Sequence, residues 1–157
     1  MSDEHRPARV DWITDEDWET IVRNVPIPSV DLIVQHNGGL VLGKRTNEPA
    51  KGEWFVPGGR IERGETLHEA VHRVAQKELD VEVTIEQELG AYDHFYGVSD
   101  VGGTGKHYVA HGFVVETTGS DLSFDDQHAD LRVFDTLPED LHPYVTAYLR
   151  DGGFIEG

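Results

Sequence analysis

The chain of 157 residues is long enough to bury the core of one domain, and it contains no cysteine, so disulfides and thiolate metal sites are excluded. Its 30 acidic residues against 13 lysines and arginines give a net charge of −17, which disfavours nucleic acid as a partner because phosphate binding needs a basic surface. No apolar run reaches the roughly 18 residues that a membrane span needs, and the N-terminus lacks the apolar segment of a secretory signal. These features predict a cytoplasmic enzyme with no membrane partner.

The distribution of the acidic residues bears on the environment of the protein. They are spread along the chain rather than gathered in one tail. This spread favours adaptation to a salt-rich cytoplasm, in which ions screen the self-repulsion, over an acidic surface that serves only solubility.

The predicted elements begin with a short helix. Thr14 is a suitable N-cap, the three acids after it favour the first turn, and Pro26 follows the expected end at about Asn24. Two strands come next, at SVDLIVQH and LVLGKR, and Asn37-Gly38 between them is a strong hairpin signal. The first third of the chain is therefore predicted to be a helix followed by a hairpin.

The rest of the chain alternates strands with two more helices. Strands are predicted at EWFVPGG, VEVTI, LGAYDHFYG, HYVAHGFVVET and LRVFD, and helices at about Thr66–Leu79 and over PEDLHPYVTAYLR. The glycine-rich segment from Val98 to Lys106 is expected to be a mobile loop. This order predicts an α/β fold in which a mixed sheet is sandwiched between helices (α/β/α). We expect one domain over residues 1–157, with a flexible N-terminus over residues 1–12.

The central helix carries an acid where its pattern calls for an apolar residue. One stripe contains Leu67, Ala70, Val71 and Val74, and Glu78 lies one turn beyond Val74 on the same side. A carboxylate on a packing face is costly unless a cation or hydrogen bonds satisfy it. The side chain therefore either turns out to solvent at the helix end or points inward to bind a cation.

The loop before this helix favours the second possibility. Gly58-Gly59 lets the backbone approach a ligand closely, and a carbonyl with a carboxylate forms a hard-oxygen set that suits Mg²⁺. Arg60 beside the glycines and Arg73 on the helix carry the planar guanidinium that holds phosphate oxygens.

The spacing of four of these positions matches a known motif. Gly59, Glu65, Arg73 and Glu78 follow the Nudix box, G-x5-E-x7-R-E-U-x-E-E-x-G-U, in which U is bulky and apolar. The chain therefore resembles the Nudix family, and the resemblance implies the Nudix fold. In that family a loop–helix–loop, here about residues 58–81, binds a divalent metal on a nucleoside diphosphate linked to another group.

Three departures from the box limit such a metal site. Val74 and Lys77 replace the first two glutamates of the R-E-U-x-E-E core, and Asp80 replaces the box glycine. In a typical member those glutamates help to collect two or more metal ions, which Glu78 alone can hardly do. The domain is then either inactive or needs less metal because it breaks a different bond.

The GDP-mannose mannosyl hydrolase subfamily shares this loss, and the chain resembles it from about Ile13 to Phe154. The landmarks are LGKRTNEPAKGEWFVPGGR, HFYGV, HYV and DDQH. The resemblance implies one Mg²⁺ per active site, with Mn²⁺ as a substitute, held by Glu78, the Gly58 carbonyl and the Gln127 side chain. An amide oxygen is an acceptable ligand for this ion.

The resemblance also suggests which side chain moves the proton. His128 is the expected general base, because an imidazole titrates near neutrality, and His94 is its rival. Arg73 is expected to orient Glu78 and the phosphate region, or to form a structural salt bridge.

The remaining expected contacts are with the substrate. The resemblance places Arg45, Arg60 and Tyr108 on the diphosphate, and Asp31 near Arg60 and the sugar. The structural alternatives are a solvated strand-end charge for Arg45 and a half-buried strand residue for Tyr108. The nucleobase is expected to contact Trp12, Ile13 and Trp18, unless these residues only pack the first helix. The subfamily also implies a homodimer.

The expected reaction is Mg²⁺-dependent hydrolysis of a GDP-hexose, GDP-mannose first, at the anomeric carbon with inversion, giving GDP and free sugar. One alternative is an ordinary Nudix pyrophosphohydrolase that cuts the P–O–P link of ADP-ribose or another nucleotide sugar. Another is a non-catalytic module that binds nucleotide sugars, which the loss of two glutamates favours and the pair Gln127-His128 opposes. The sequence leaves the hexose and the base open.

Overall fold

The computed structural model describes residues 5–46, 51–119 and 131–156. The elements, in chain order, are α1 (Asp15–Asn24), β1 (Ile27–His36), β2 (Gly39–Lys44), β3 (Trp54–Phe55), β4 (Gly58–Arg60), α2 (Leu67–Leu79), β5 (Val83–Tyr96), β6 (Lys106–Thr117), β7 (Leu131–Phe134) and α3 (Pro143–Asp151). None of the helices in these ranges is long and apolar enough to cross a membrane.

The strands form one mixed sheet with the order β3-β2-β1-β6-β5. The central strand β1 runs antiparallel to β2 and parallel to β6, while β4 also pairs with β1 and β7 with β2. Successive residues of β1 belong to two different cores: Leu32 packs with α2 on one face, and Ile33 packs with α3 on the other. The predicted α/β/α arrangement is confirmed.

Several local predictions are confirmed together with their causes. The Thr14 hydroxyl accepts a hydrogen bond from the Asp17 amide at 3.2 Å and starts α1. Asn37 and Gly38 have φ values of 48° and 84°, the positive pair that a two-residue hairpin turn requires. Thr66 starts α2 with a capping box.

Two boundary predictions were wrong. The segments VEVTI and LGAYDHFYG form a single strand, β5, whose register against β6 shifts twice between Ile85 and Gly90. The last helix begins at Pro143 rather than at the start of PEDLHPYVTAYLR. The residues before it stay outside the helix because Trp54 exchanges backbone hydrogen bonds with Asp140 and His142.

Residues 6–10 contact α2 and the loop that precedes it. Arg6 pairs with Glu69 at 2.9 Å, and Arg9 pairs with Glu62 at 2.8 Å. The amide of Val10 adds a backbone hydrogen bond to the box loop. These contacts hold the segment against the loop that precedes α2.

Candidate functional site

A cleft beside the central strand collects five of the predicted site side chains and one predicted backbone ligand. It is bordered by β1, β4 and the adjoining ends of β5 and β6. The predicted residues that line it are Asp31, Arg45, Gly58, Arg60, His94 and Tyr108. Positions that are up to 77 residues apart in the sequence therefore share one wall.

Asp31 is a buried acid on the central strand, with a glycine beside it on each neighbouring strand. Its register partners are Gly58 on β4 and Gly112 on β6. A Cβ atom at Gly58 would overlap Oδ1 of Asp31, so the carboxylate fills the space that this glycine leaves. Burial raises the pKa of Asp31 to about 6, against the lowering effects of a hydrogen bond from Tyr148 and of the Arg45 charge.

His94 is another buried polar residue of the cleft. Its ring stacks on Tyr144 with centroids 4.0 Å apart, and its Nε2 atom has no hydrogen-bond partner among the described residues. Burial lowers the pKa of His94 to about 4, and the neighbouring His142 adds to the effect, so the imidazole is neutral near pH 7. The 3.8 Å separation between Nδ1 and Oδ2 of Asp31 is therefore not an ion pair at that pH. A neutral imidazole with one unused nitrogen can donate to or accept from a ligand in the cleft.

Glu78 lies in an adjoining cavity of about 260 Å³, which shares Arg45 and Gly58 with the first cleft. The side chain is half-buried and lines this cavity. Two of the three expected metal ligands, Glu78 and Gly58, thus border one space. Their oxygen chemistry fits Mg²⁺, and no group of three acidic or histidine side chains in the described ranges offers an alternative metal site.

The two altered glutamate positions of the box cannot contribute to that site. Val74 is buried in the core below the sheet, where its Cγ2 would lie 3.1 Å from a Cβ atom at Gly59. Lys77 is exposed on the surface of α2. Among the box positions, Glu78 is left as the acid that faces the cavity.

Arg73 has the structural role that the sequence left as an alternative. Its Nε donates to Glu65 at 2.6 Å, and its Nη2 donates to the Arg60 carbonyl at 2.8 Å. Burial opposes ionisation of Glu65, but hydrogen bonds from Arg73 and from the Glu62 amide hold its pKa below the ordinary value. The network fixes the backbone of Arg60, whose side chain lines the cleft.

Asp80 retains the backbone conformation that a glycine would supply at this box position. It ends α2 in the left-handed region, with φ 53° and ψ 42°. Aspartate tolerates this region better than most residues, and a hydrogen bond from Gln76 to its carboxylate accompanies the turn. The substitution therefore leaves the turn after the helix in place.

The three residues expected at the nucleobase lie on the far side of Arg60. Trp12 and Ile13 line a surface cavity of about 470 Å³ that includes Arg60, and Trp12 is 75% exposed. The ring of Trp18 lies 5.9 Å from the Arg60 guanidinium and 5.1 Å from the Lys106 ammonium. Arg60 thus connects the aromatic region to the cleft.

Gln127 and His128 lie outside the described residues, so their positions relative to the cleft stay predictions. The sequence reasoning missed two residues that the structure brings to the site, Tyr148 and Lys106. Tyr148 follows the apolar spacing of α3, but a buried tyrosine needs a partner for its hydroxyl, and this need was the available signal. Lys106 carried no comparable signal, since its pairing with Asp100 depends on the shape of the loop.

Comparison with known proteins agrees with this geometry. Residues 25–149 match the NUDIX domain. The low-salt glycan biosynthesis protein Agl8 of Haloferax volcanii is 54% identical over 138 residues, covering 87% of this chain and 88% of that protein. An ADP-ribose pyrophosphatase of Methanocaldococcus jannaschii is 32% identical over 130 residues, covering 80% of this chain and 74% of that protein.

Two solved structures share the fold. The MutT NUDIX hydrolase of Burkholderia pseudomallei superposes with a TM-score of 0.62 at 26% identity, covering 80% of this chain and 97% of that one. The MutT protein of Methanosarcina mazei Go1 superposes with a TM-score of 0.65 at 20% identity, covering 84% and 97%. With a domain match over most of its length and two relatives above 30% identity, the chain belongs to the Nudix hydrolase family.

Proposed function

We propose that this protein is a Mg²⁺-dependent hydrolase of a GDP-hexose, with GDP-mannose as the first candidate, and that it cleaves the bond between the anomeric carbon and the diphosphate. The products are GDP and the free sugar with inverted anomeric configuration. The observation that carries the proposal is the pairing of a single inward acid of the box, Glu78, with a cleft lined by two arginines and three buried polar residues. These groups are better suited to stabilising a diphosphate as it leaves than to binding several metal ions around a phosphorus atom.

The metal would be held by Glu78, the carbonyl of Gly58 and the side chain of Gln127. When bound, Mg²⁺, or Mn²⁺ in its place, supplies positive charge that offsets the negative charge of the diphosphate. The first two of these residues border the same cavity, and the third is a proposal from the sequence.

In the proposed step, His128 removes a proton from water, and the water oxygen bonds to C1 of the hexose. The C1–O bond breaks, and its electrons leave with the β-phosphate of GDP. Arg45, Arg60 and Tyr108 stabilise the charge that grows on this phosphate, since both guanidinium groups and the phenol line the cleft. A diphosphate whose negative charge is neutralised in this way can leave without being protonated by an acid. The carboxylate pair of an ordinary glycosidase is therefore not needed.

The size of the cleft suggests how the substrate lies. Its volume of about 120 Å³ is below the roughly 300–1,000 Å³ of a pocket for a whole drug-sized ligand. We assign this space to the hexose and the phosphate next to it, beside Asp31 and His94. The nucleobase then contacts Trp12, Ile13 and Trp18 beyond Arg60, in a domain that works as a homodimer.

Hydrolysis in ¹⁸O-water with Mg²⁺ and GDP-mannose tests the proposal. We expect the label in free mannose and GDP as the nucleotide product. The variant His128→Gln should lower turnover by about 10²–10⁴-fold, the usual contribution of a positioned general base. Full activity of that variant would remove His128 from the mechanism. Label in a phosphate group, with GMP as the product, would overturn cleavage at carbon.

A second candidate function is cleavage of the P–O–P bond of a nucleotide sugar. The relative named ADP-ribose pyrophosphatase, at 32% identity, is the observation that favours it. Assaying ADP-ribose beside GDP-mannose for both nucleoside monophosphate and diphosphate separates the two reactions. Tight binding of either compound without turnover in Mg²⁺ would instead indicate a module that only binds nucleotide sugars.

A further inference from the structure

Tyr148 lies in the core of the domain, yet its hydroxyl reaches the candidate site. The residue is fully buried on α3, and its hydroxyl donates to Oδ2 of Asp31 at 2.7 Å. The ring fits beside the sheet because residue 112 is a glycine: a Cβ atom there would lie 2.7 Å from Cε1 of Tyr148. Gly112 is also the register partner of Asp31 on β6.

The two glycines beside Asp31 thus leave space for different purposes. The space at Gly58 accommodates Oδ1 of the carboxylate itself, and the space at Gly112 accommodates the tyrosine that binds Oδ2. One oxygen is therefore held from the helix side, and the other faces the β4 side, where Gly58 lines the cleft. A free carboxylate could rotate about its last bond, but a carboxylate held in this way presents one oxygen in one direction.

We propose that Tyr148 is a positioning residue of this enzyme, whose hydroxyl orients the Asp31 carboxylate toward a hydroxyl group of the sugar. The inference rests on the proposed function in one respect, that the sugar occupies the cleft beside Asp31. Tyr148 itself touches no substrate. Its contribution is to hold the Asp31 carboxylate in one orientation, which a phenylalanine of the same shape could not do.

Other groups around Asp31 act on the same carboxylate, so the test must isolate the tyrosine. They come from β5, from the segment after β2, from the end of β4 and from α3, and they are His94, Tyr96, Arg45, Arg60 and Tyr148. The variant Tyr148→Phe removes one hydroxyl and leaves the other four groups unchanged. The matched control is Tyr92→Phe, which removes a hydroxyl that ties β5 to Asp151 on α3 but does not bind Asp31.

The direct readout is the orientation of the Asp31 carboxylate in crystal structures of the parent and of the two variants. In the parent and in Tyr92→Phe we expect the orientation in which Oδ2 accepts from the Tyr148 hydroxyl. In Tyr148→Phe we expect the carboxylate to rotate about its last bond or to occupy more than one orientation, because the hydrogen bond that holds Oδ2 is lost. A single unchanged orientation in Tyr148→Phe, or an equal change in Tyr92→Phe, would overturn the inference whatever the enzyme's reaction.

The functional readout uses GDP-mannose. For Tyr148→Phe we expect kcat/KM to fall by about three- to tenfold, the usual effect of losing one hydrogen bond, while the affinity for GDP, which lacks the sugar, stays that of the parent. A loss of purely structural origin would weaken GDP binding as well and would contradict the positioning role. If the parent forms no GDP, the proposed function fails, and affinity for GDP-mannose by calorimetry replaces turnover. Equal affinity of parent and Tyr148→Phe at pH 6.5 would then overturn the inference.

Discussion

The indole N–H of Trp18 donates to the carboxylate of Asp100 at 3.2 Å and thereby joins α1 to the glycine-rich loop between β5 and β6. Asp100 also pairs with the buried ammonium of Lys106, which lies over the face of the same indole. Burial disfavours ionisation of Asp100, but the bonds from Lys106 and Trp18 keep its pKa below the ordinary value. The carboxylate therefore fixes both the loop and the aromatic ring that faces Arg60.

We expect Asp100→Ala to weaken binding of GDP by about fivefold, the usual effect of losing one hydrogen bond, because Trp18 loses the contact that orients it as a platform for the base. Calorimetry with GDP and Mg²⁺ measures this effect. The control is Asp93→Ala, which removes a 3.0 Å contact with His107 between the two strands that flank this loop. Equal affinity in Asp100→Ala and the parent would show that Trp18 does not depend on this contact for its role.

The fold was predictable to a large extent because its determinants are local. The Thr14 cap and the Asn37-Gly38 turn each act over three or four residues, and each is present as expected. The helix predicted from about Thr66 begins there, where a capping box fixes its first turn. The errors arose where a distant partner decides the structure. Residues 139–142 stay outside the helix because Trp54 pairs with Asp140 and His142, and no pattern within PEDLHPYVTAYLR shows this.

The residues of the candidate site also divide into those that local sequence patterns indicated and those that only the structure shows. The inward position of Glu78 was one of two possibilities that helical spacing left open, and the glycine loop before α2 favoured it. The tyrosine that binds Asp31 lies 117 positions away, and only the register of β1 against β6 shows why residue 112 is a glycine. Charge pairs such as Arg9 with Glu65, at 3.2 Å, could not be predicted from the sequence either, because any acidic residue could have been the partner.

The end of α2 offers a prediction about stability. Asp80 holds a left-handed conformation that costs an L-residue about 1 kcal/mol, and its charge is unfavourable at a helix C-terminus. Asp80→Gly should therefore stabilise the protein by about 0.5 kcal/mol after allowing for the greater freedom of glycine in the unfolded chain. Asp80→Ala should destabilise it by about 1 kcal/mol, since alanine retains the strain and loses the bond from Gln76.

Urea denaturation at neutral pH measures these free energies of unfolding, and Asp80→Asn serves as the control that removes the charge alone. A glycine variant less stable than the asparagine variant would show that the side chain of residue 80, rather than its backbone conformation, stabilises this turn.

The net charge of −17 leads to a prediction about salt. Self-repulsion of this size destabilises the folded chain, and ions screen it, while local pairs such as Arg9 with Glu62 are weakened by the same ions. We expect repulsion to dominate, so the melting temperature should rise by several degrees between 0.05 M and 1 M KCl. Most of the rise should come below about 0.5 M, where the screening length already falls to a few ångströms. A melting temperature that is unchanged or lower in molar KCl would contradict adaptation to a salt-rich environment.

The buried acid of the cleft should make the protein less stable as the pH rises. The pKa of Asp31 is raised from 3.8 to about 6 on folding, so between these values the unfolded chain releases a proton that the folded protein keeps. The free energy of unfolding therefore falls as the pH increases through this window, by up to about 3 kcal/mol for a shift of about two pH units. Above pH 6 the full free-energy cost of burying the ionised Asp31 carboxylate is present, and below pH 3.8 this cost is absent.

Asp31→Asn removes this cost because an amide stays neutral and its oxygen can still accept the bond from Tyr148. The difference in free energy of unfolding between the variant and the parent should therefore favour the variant more at pH 7.5 than at pH 4. Turnover of the variant should fall, because the cleft retains the ionised carboxylate for function at the expense of stability. Urea denaturation of both proteins at the two pH values gives the difference, with Asp11→Asn, at an exposed position, as the control for losing one negative charge. A stability difference between Asp31→Asn and the parent that does not change with pH would mean that Asp31 titrates alike in the folded and unfolded chains, and the buried anion would then have to be abandoned as a feature of the site.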